Sequence, residues 1–141
     1  MLLPPTHEKT ELIEVVRITD PARHLDSEDL AGDTAAIWEG ERTQQALSLI
    51  ADLPGSEQHR CFLPGWGIRA HDLTSQLFEI AFCFRCHGAR TWAPDLPVAQ
   101  QRHAFDQQIQ AFDAESPAAL ELLHRFRSCL PPLIAFDRHD P

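Results

Sequence analysis

Residues 77–86 alternate apolar and polar side chains, and this pattern constrains the fold more than any other feature of the chain. Phe and Ile occupy every second position, and Glu79, Cys83 and Arg85 lie between them. Because side chains alternate between the two faces of a strand, the segment predicts a strand with one apolar and one largely polar face. Phe82→Ala should then cost about 3–5 kcal/mol, whereas Glu79→Ala should be nearly neutral.

Other segments predict further strands. Residues 11–19 form a β-branched apolar run that is typical of a buried strand. Residues 60–63 and 68–71 flank the sequence Pro-Gly-Trp-Gly at 64–67, which predicts a hairpin turn with at least one glycine at positive φ. The strand at 77–86 is expected to continue past Gly88 towards residue 92.

Two segments predict helices. Residues 41–53 place apolar side chains at helical spacing, and Ser116-Pro117 opens a second helix as N-cap and first helical residue. Residues 34–38 fit a short strand or the approach to a helix, and residues 107–112 fit a helix or a strand. Together these elements predict an α+β fold, an antiparallel β-meander with two or three helices packed on one face.

Length and segment composition predict one cytoplasmic domain. The 141 residues fit a single domain, 1–141, with residues 1–10 and 137–141 as flexible ends. The first residues lack the basic start, apolar stretch and cleavage site of a signal peptide. No run approaches the ~20 apolar residues of a membrane span. The near-absence of Lys, with no Asn and no Tyr, indicates a GC-rich bacterial genome.

The charge of the chain restricts its partners. Twenty-one acidic residues against 12 basic ones give a formal charge of −9. Such a field repels phosphate backbones and anionic lipid, so we expect neither nucleic acid nor a membrane as a partner. A basic protein partner fits better. The oligomeric state stays open.

Cysteine chemistry is concentrated at Cys83-Phe84-Arg85-Cys86-His87, which has the spacing of a covalent haem site. We do not expect haem, because its attachment requires export from the cytoplasm. The alternatives are a zinc site from Cys61, Cys83, Cys86 and His87, a redox or disulfide pair of Cys83 and Cys86, and no cofactor at all. In the last reading, Cys61, Cys86 and Cys129 are small buried apolar residues.

A second candidate site lies on the polar face of the predicted sheet. Arg69 and His71 are two residues apart on one strand, and Glu79, Cys83 and Arg85 are spaced by two on the next. If the two sets share a face, they form a cluster capable of acid–base work or of holding an anion. The alternative is a solvated sheet face with cross-strand ion pairs.

Two motifs carry a resemblance to known proteins. Residues 61–69 read Cys-Phe-Leu-Pro-Gly-Trp-Gly-Ile-Arg, and residues 83–86 read Cys-Phe-Arg-Cys. Together with the helix opened by Ser116-Pro117, they resemble a set of small bacterial proteins with a C-F-x-P-x-x-G-I-R hairpin, a strand ending C-F-x-C and an S-P-opened helix. The resemblance spans residues 61–132. It implies a shared fold and supplies no activity.

These observations favour a small acidic binding or regulatory module over an enzyme. One concrete version is an inhibitor or immunity-type protein that masks a basic partner. The nucleotide-binding and hydrolase motifs G-x-x-x-x-G-K-[ST], G-x-G-x-x-G, G-x-S-x-G and H-E-x-x-H are all missing from the sequence. The competing hypothesis is a metal-binding or thiol-dependent protein that uses the cysteine cluster.

Overall fold

The described part of the chain forms one antiparallel sheet with two α-helices and a short 3-10 helix. The computed structural model describes residues 1–22, 29–57, 62–94 and 109–130. Its strands are β1 (Leu12–Arg17), β2 (Asp33–Glu39), β3 (Trp66–His71), β4 (Gln76–Cys83), β5 (Gly88–Trp92) and β6 (Ile109–Ala111). Its helices are a 3-10 helix (Pro5–Lys9), α1 (Glu41–Ala51) and α2 (Pro117–Arg127). No helix in this described part of the chain has the length and apolar character needed to cross a bilayer.

The six strands lie in the order β2-β1-β3-β4-β5-β6, with every neighbouring pair antiparallel. β3 to β6 form a meander, and β1 lies between β2 and β3 instead of at an edge. The predicted α+β class and antiparallel sheet are therefore confirmed. The central position of β1 agrees with its continuous β-branched sequence, because a strand with neighbours on both sides is buried along its length.

The main core lies between the sheet and the helices. β1 contributes Ile13 and Val15, and β4 contributes Phe78, Ile80 and Phe82, all at most 1% exposed. The helices contribute the larger buried set Ala46, Leu47, Ile50, Ala119, Leu122 and Phe126. Since both helices supply residues to this one cluster, they cover the same face of the sheet.

Phe126 joins α2 to the sheet through aromatic contacts. Its ring stacks on Trp38 of β2 and on Trp66 of β3, with ring centroids 5.8 and 5.5 Å away. The start of the helix is fixed as the sequence predicts, because the Ser116 hydroxyl accepts a hydrogen bond from the Ala119 amide at 3.2 Å. The two predicted helices are thus confirmed.

The opposite face of the sheet carries a second, smaller core. Val16, Leu30, Phe62, Ala81 and Cys83 are all buried there. The alternative of a solvated sheet face with cross-strand ion pairs is wrong in its solvation, since chain segments outside the strands cover much of the face. The cross-strand ion pairs themselves are present. These covering segments are too irregular to leave a periodic signal in the sequence.

The predicted hairpin at 60–71 is wrong in its first arm and turn as far as they are described, from residue 62, whereas its second strand, 68–71, lies within β3; residues 60 and 61 lie outside the described residues. Residues 62–65 are neither strand nor turn, and Trp66 and Gly67 already belong to β3. Neither Gly65 nor Gly67 has a positive φ, which among the described glycines occurs only at Gly40. A Cβ on Gly67 would lie 2.7 Å from Leu30 Cδ1 and 2.8 Å from the Ile80 carbonyl oxygen. Gly67 is needed for this close packing and not for a turn.

The structure corrects the predicted extent of the strand at 77–86 and resolves two segments whose secondary structure the sequence left open. The strand at 77–86 ends at Cys83, and residues 84–87 turn the chain back into β5, which pairs with β4 as a separate strand. Residues 34–38 lie in β2, and residues 109–111 of the ambiguous segment 107–112 form β6, whereas residues 107 and 108 lie outside the described residues. Residues 137–141, predicted as a flexible end, lie outside the described residues.

Candidate functional site

The structure brings Arg69, His71 and Glu79 together around Glu14. Arg69 donates from Nη1 to Glu14 Oε2 at 2.9 Å and from Nε to Glu79 Oε2 at 3.0 Å. His71 Nε2 lies 3.2 Å from Glu14 Oε1, and the Thr34 hydroxyl also donates to Glu14. We call Glu14, Arg69, His71 and Glu79 the ion cluster. It lies across β1, β3 and β4, where Glu14, Arg69 and Glu79 are direct cross-strand partners.

The ion cluster holds the backbone of Leu30. Arg69 Nη2 donates to the Leu30 carbonyl oxygen at 2.9 Å, and the Leu30 amide donates to the Glu79 carboxylate. The Leu30 side chain is 1% exposed and packs on Gly67. Arg69 and Glu79 therefore fix the segment that covers this face of the sheet.

The two carboxyl groups of the ion cluster have opposite pKa shifts. Burial raises the pKa of Glu79, and its hydrogen bonds from Arg69 and Leu30 offset only part of that effect. Burial alone would also raise the pKa of Glu14, but the hydrogen bond from Thr34 and the charge of Arg69 bring it below its ordinary value. Arg69 thus binds two carboxyl groups in different surroundings. Those of Glu14 favour its ionised form, and those of Glu79 oppose it.

Sequence reasoning did not find Glu14 as a site residue. It is the single acidic residue inside the apolar run of β1, and its side chain is 18% exposed. An acid within a β-branched run is the signal that could have found it, because such a residue needs a buried cationic partner. The partner itself, Arg69, lies 55 residues away and is defined only by the sheet register.

Cys83 and Arg85 do not belong to the ion cluster, contrary to the predicted site. Cys83 is 1% exposed, and its sulfur accepts the Cys86 amide at 3.2 Å together with the amides of Leu63 and Arg85. Burial raises the pKa of the Cys83 thiol. Arg85 is exposed in the turn after β4. Cys83 therefore stabilises this turn, and its surroundings disfavour the reactive thiolate.

The proposed metal ligands have other contacts in the structure. Cys61 lies outside the described residues. Cys86 is disulfide-bonded, whereas Cys83 and Cys129 are free thiols. The suggested Cys83–Cys86 bond is therefore absent, and Cys86 is not a free buried thiol. Among the residues that the structure describes, no three His, Cys, Asp or Glu side chains are grouped so that they could hold a metal.

His87 has a structural role at the β4–β5 turn. Its Nδ1 accepts the Ala114 amide at 3.1 Å, and its carbonyl oxygen accepts the Phe112 amide at 3.0 Å. Its φ of 53° makes it the one non-glycine residue at positive φ in the described part of the chain. These bonds join the turn to the segment between β6 and α2.

A groove lies where β2 ends and α1 begins. It has a volume of about 570 Å³ and is open to solvent. Its lining consists of Thr10, Glu11, Gly40, Glu41, Gln44 and Gln45. We call it the α1 groove. Two carboxylates and no cationic side chain lie in its lining, and sequence reasoning did not single it out.

Comparison with protein-family models, with curated proteins and with solved structures finds no match to this chain. The fold and the sites therefore rest on the residues themselves. Within the described part of the chain they define an α+β fold with a six-stranded antiparallel sheet, a polar cluster that holds the fold together and an open groove that is acidic.

Proposed function

We propose that this chain is a small acidic binding or regulatory module for a basic protein partner, and not an enzyme. The ion cluster supports a structural use of the polar residues, because Nε, Nη1 and Nη2 of Arg69 all donate within the protein. Three of its five N–H donors are engaged, and the two adjacent carboxylates offset its charge, so this guanidinium is poorly suited to a substrate anion. The one concrete version is an inhibitor or immunity-type protein that masks a basic surface.

The distribution of charge at the surface carries this proposal. Among the described residues, five basic side chains are exposed, at Lys9, Arg17, Arg42, Arg85 and Arg127. Eleven acidic side chains are exposed, at Glu8, Glu11, Asp20, Asp29, Asp33, Glu39, Glu41, Asp52, Glu57, Glu115 and Glu121. This excess favours and accelerates encounter with a basic partner.

One part of this surface concentrates acidic residues close together. Leu12 pairs with Glu39 across β1 and β2, so Glu11 lies near Glu39, and Glu41 follows two residues later. We call Glu11, Glu39 and Glu41 the acidic face. It shares Glu11 and Glu41 with the α1 groove, and it is our proposed contact region for the partner.

Strand addition at β2 is not the binding mode that we propose. β2 is an edge strand, but Ala35 is skipped in its pairing with β1, which indicates a bulge. Acidic residues stand at both of its ends, Asp33 and Glu39. Bulges and charged ends are devices by which natural edge strands avoid pairing with another chain.

The test uses two variants of equal charge. The first is E11Q/E39Q/E41Q on the acidic face, and the second is D52N/E57Q/E115Q, three exposed acids near the other end of α1. Both have a formal charge of −6 in place of −9. Each protein is crosslinked to its partners in a lysate of its host at low and high salt, and the captured proteins are identified.

We expect the parent to capture a basic protein, less of it at high salt, because salt screens surface charges. The acidic-face variant should lose that capture, and the matched control should retain it. Capture of a neutral or acidic protein, or equal losses in both variants, would contradict the proposal. A gene for a basic toxin-like protein directly upstream of the gene for this chain would support the immunity version.

The alternative function is a metal-binding or thiol-dependent protein that uses Cys61, Cys83, Cys86 and His87. Elemental analysis of protein purified without added metal tests it. About one zinc per chain, lost in C83S or C86S, would support the alternative, because metal binding is coupled to folding. We expect no stoichiometric zinc and no haem.

We also propose a cytoplasmic location. The disulfide at Cys86 argues against this location, because a standing disulfide is uncommon in a reducing cytosol. The number of reactive thiols in the unfolded chain, counted without reductant, therefore tests the location as well as the cysteine chemistry.

A further inference from the structure

We propose that Cys129 is an oxidation site, at which hydrogen peroxide converts the thiol to a sulfenic acid whose oxygen binds the indole N–H of Trp38. Cys129 lies two residues beyond the end of α2 and is partly exposed. Its sulfur donates to the Arg125 carbonyl oxygen at 3.4 Å. A single cysteine alone would not define a site, and Trp38 supplies the second observation. The proposal goes beyond the binding function and does not depend on the identity of a partner.

Trp38 carries a buried donor without a hydrogen-bond partner. Its side chain is 2% exposed, and its Nε1 makes no hydrogen bond within the described part of the chain. This N–H faces the Cys129 sulfur, in a contact that lowers the pKa of the thiol without reaching the geometry of a full hydrogen bond. A buried N–H without an acceptor costs free energy. Because the donor already faces the sulfur, an oxygen added to that sulfur needs no path from solvent to reach it.

The contacts of the Cys129 sulfur match both hydrogen-bonding roles of a sulfenic acid. A thiol is a weak donor and a weak acceptor, whereas the S–O–H group of a sulfenic acid has the stronger donor and acceptor of a hydroxyl. The Arg125 carbonyl oxygen, which now accepts the S–H, is the acceptor for the S–O–H. Trp38 Nε1 is the donor to its oxygen. Oxidation therefore gives the buried indole N–H the oxygen acceptor that it lacks.

The oxidation step starts from the Cys129 thiolate. The thiol proton leaves, the sulfur attacks one oxygen of hydrogen peroxide, and the O–O bond breaks. That oxygen stays on sulfur with its hydrogen, while the released hydroxide takes up the proton and departs as water. Sulfur is oxidised by two electrons and the peroxide is reduced by two.

The surroundings of Cys129 favour the product more than they favour a fast reaction. Burial raises the pKa of the Cys129 thiol, and the charge of Arg42 and the Trp38 N–H offset only part of that effect. The thiolate is therefore a minor species at neutral pH, and partial exposure keeps it within reach of peroxide. Stabilisation of the sulfenic oxygen by Trp38 is what distinguishes this site.

The sulfenic acid has no resolving thiol nearby among the described residues. The other free thiol, Cys83, is 1% exposed and belongs to the smaller core on the opposite face of the sheet. Cys129 packs against the main core on the helix-covered face. Cys86 is already disulfide-bonded. Condensation to a new disulfide with Cys83 is therefore blocked, and the sulfenic acid should persist in the folded chain.

The test treats the full chain with hydrogen peroxide, without reductant, and traps sulfenic acid with dimedone. Mass spectrometry of the peptides then locates the label. We expect it at Cys129 and not at Cys83, and we expect C129S to remove it. In the ¹⁵N-labelled chain, the indole resonance of Trp38 should shift on oxidation, whereas those of Trp66 and Trp92 should not.

Two variants test the role of the Trp38 N–H. W38F removes the donor, and W66F is the matched control, because both tryptophans stack on Phe126 and only Trp38 faces Cys129. The lifetime of the sulfenic acid is measured after catalase has removed the peroxide. We expect W38F to shorten it about fivefold, the factor that corresponds to one hydrogen bond of ordinary net strength. W66F should leave it unchanged.

Several outcomes would overturn the proposal. They are a label at Cys83 alone, no sulfenic acid at Cys129, and equal shortening of the lifetime in W38F and W66F. An unshifted Trp38 indole resonance in the oxidised parent would overturn it as well. This last measurement uses the unaltered chain, so it decides the role of Trp38 even if W38F does not fold.

Discussion

Arg69 and Glu79 are joined across the β3–β4 pair by a hydrogen bond of 3.0 Å, and both also bind the backbone of Leu30. One ion pair thereby fixes the sheet register and the segment that covers the sheet. This relationship explains why charged residues lie on a face that is otherwise apolar, and it sets the first prediction.

Removing the cation of the ion cluster should destabilise the protein strongly. In R69M, the Glu14 and Glu79 carboxylates lose their shared partner, and the Leu30 carbonyl loses a donor. We expect a loss of about 3 kcal/mol in the free energy of unfolding, as for other buried pairs that lose one member. Urea denaturation at pH 7 measures it. The control is E121Q, which breaks the exposed Arg125–Glu121 pair and should cost at most about 0.5 kcal/mol. Equal losses in the two variants would contradict a buried role for the cluster.

The glycine pair around Trp66 should respond unequally to alanine. A Cβ at Gly67 would lie 2.7 Å from Leu30 Cδ1, whereas a Cβ at Gly65 has no atom within 4 Å. We expect G67A to lose about 1–3 kcal/mol through overpacking and G65A to change stability by less than about 0.5 kcal/mol. Thermal and urea unfolding of both variants measure this. If G65A proves as damaging as G67A, the packing of Leu30 is not the reason for glycine at position 67.

The two glutamates of the ion cluster should act in opposite directions on acid unfolding. The lowered pKa of Glu14 means that its stabilising contribution is present above its ordinary pKa of 4.5 and is lost as the pH falls through the folded-state value. The raised pKa of Glu79 means that its contribution is present below 4.5 and is lost as the pH rises through its folded-state value.

Between pH 7 and 3, E14Q should therefore lose less stability than the parent on acidification, and E79Q should lose more. Urea denaturation at four pH values within this range measures the effect. The exposed variant E121Q is the control and should follow the parent. Parallel curves for E14Q and E79Q would mean that the two carboxyls do not have opposite shifts.

Thiol titration should separate the four cysteines. Since Cys86 is disulfide-bonded, and Cys83 and Cys129 are free, we expect about two reactive thiols per unfolded chain without reductant and four after reduction. In the folded protein, burial raises the pKa of both free thiols, and Cys83 should react more slowly than the partly exposed Cys129 because burial also blocks access to it. C83S identifies its share of the signal. Four reactive thiols per unfolded chain without reductant would show that Cys86 is not disulfide-bonded, and would favour the cytoplasmic location.

Arg85 is not expected to activate the Cys83 thiol. The sequence places a cation two residues from the thiol, but the structure exposes Arg85 and buries Cys83 under the Leu63 segment. Likewise, Glu79→Ala should not be neutral, since Glu79 is 6% exposed and ion-paired. The expected cost of Phe82→Ala stands, because Phe82 is fully buried in the main core.

Local signals in the sequence determined the elements. Alternation defined β4, the β-branched run defined β1, helical spacing defined α1, and Ser116-Pro117 defined the start of α2. Each depends on residues close together in the chain, where steric preference and capping act. These signals were sufficient for the α+β class and the antiparallel sheet.

Only the tertiary structure decided which residues meet. Glu14 reaches Arg69 across 55 residues, Leu30 covers Gly67, and Thr10 joins Glu41 in the α1 groove. Such contacts depend on strand order and on irregular covering segments, which leave no periodic pattern. The sequence alone therefore predicted that Arg69, His71 and Glu79 share one face of the sheet. Only the tertiary structure showed that distant segments bury this face, so that its charged residues hold the fold together.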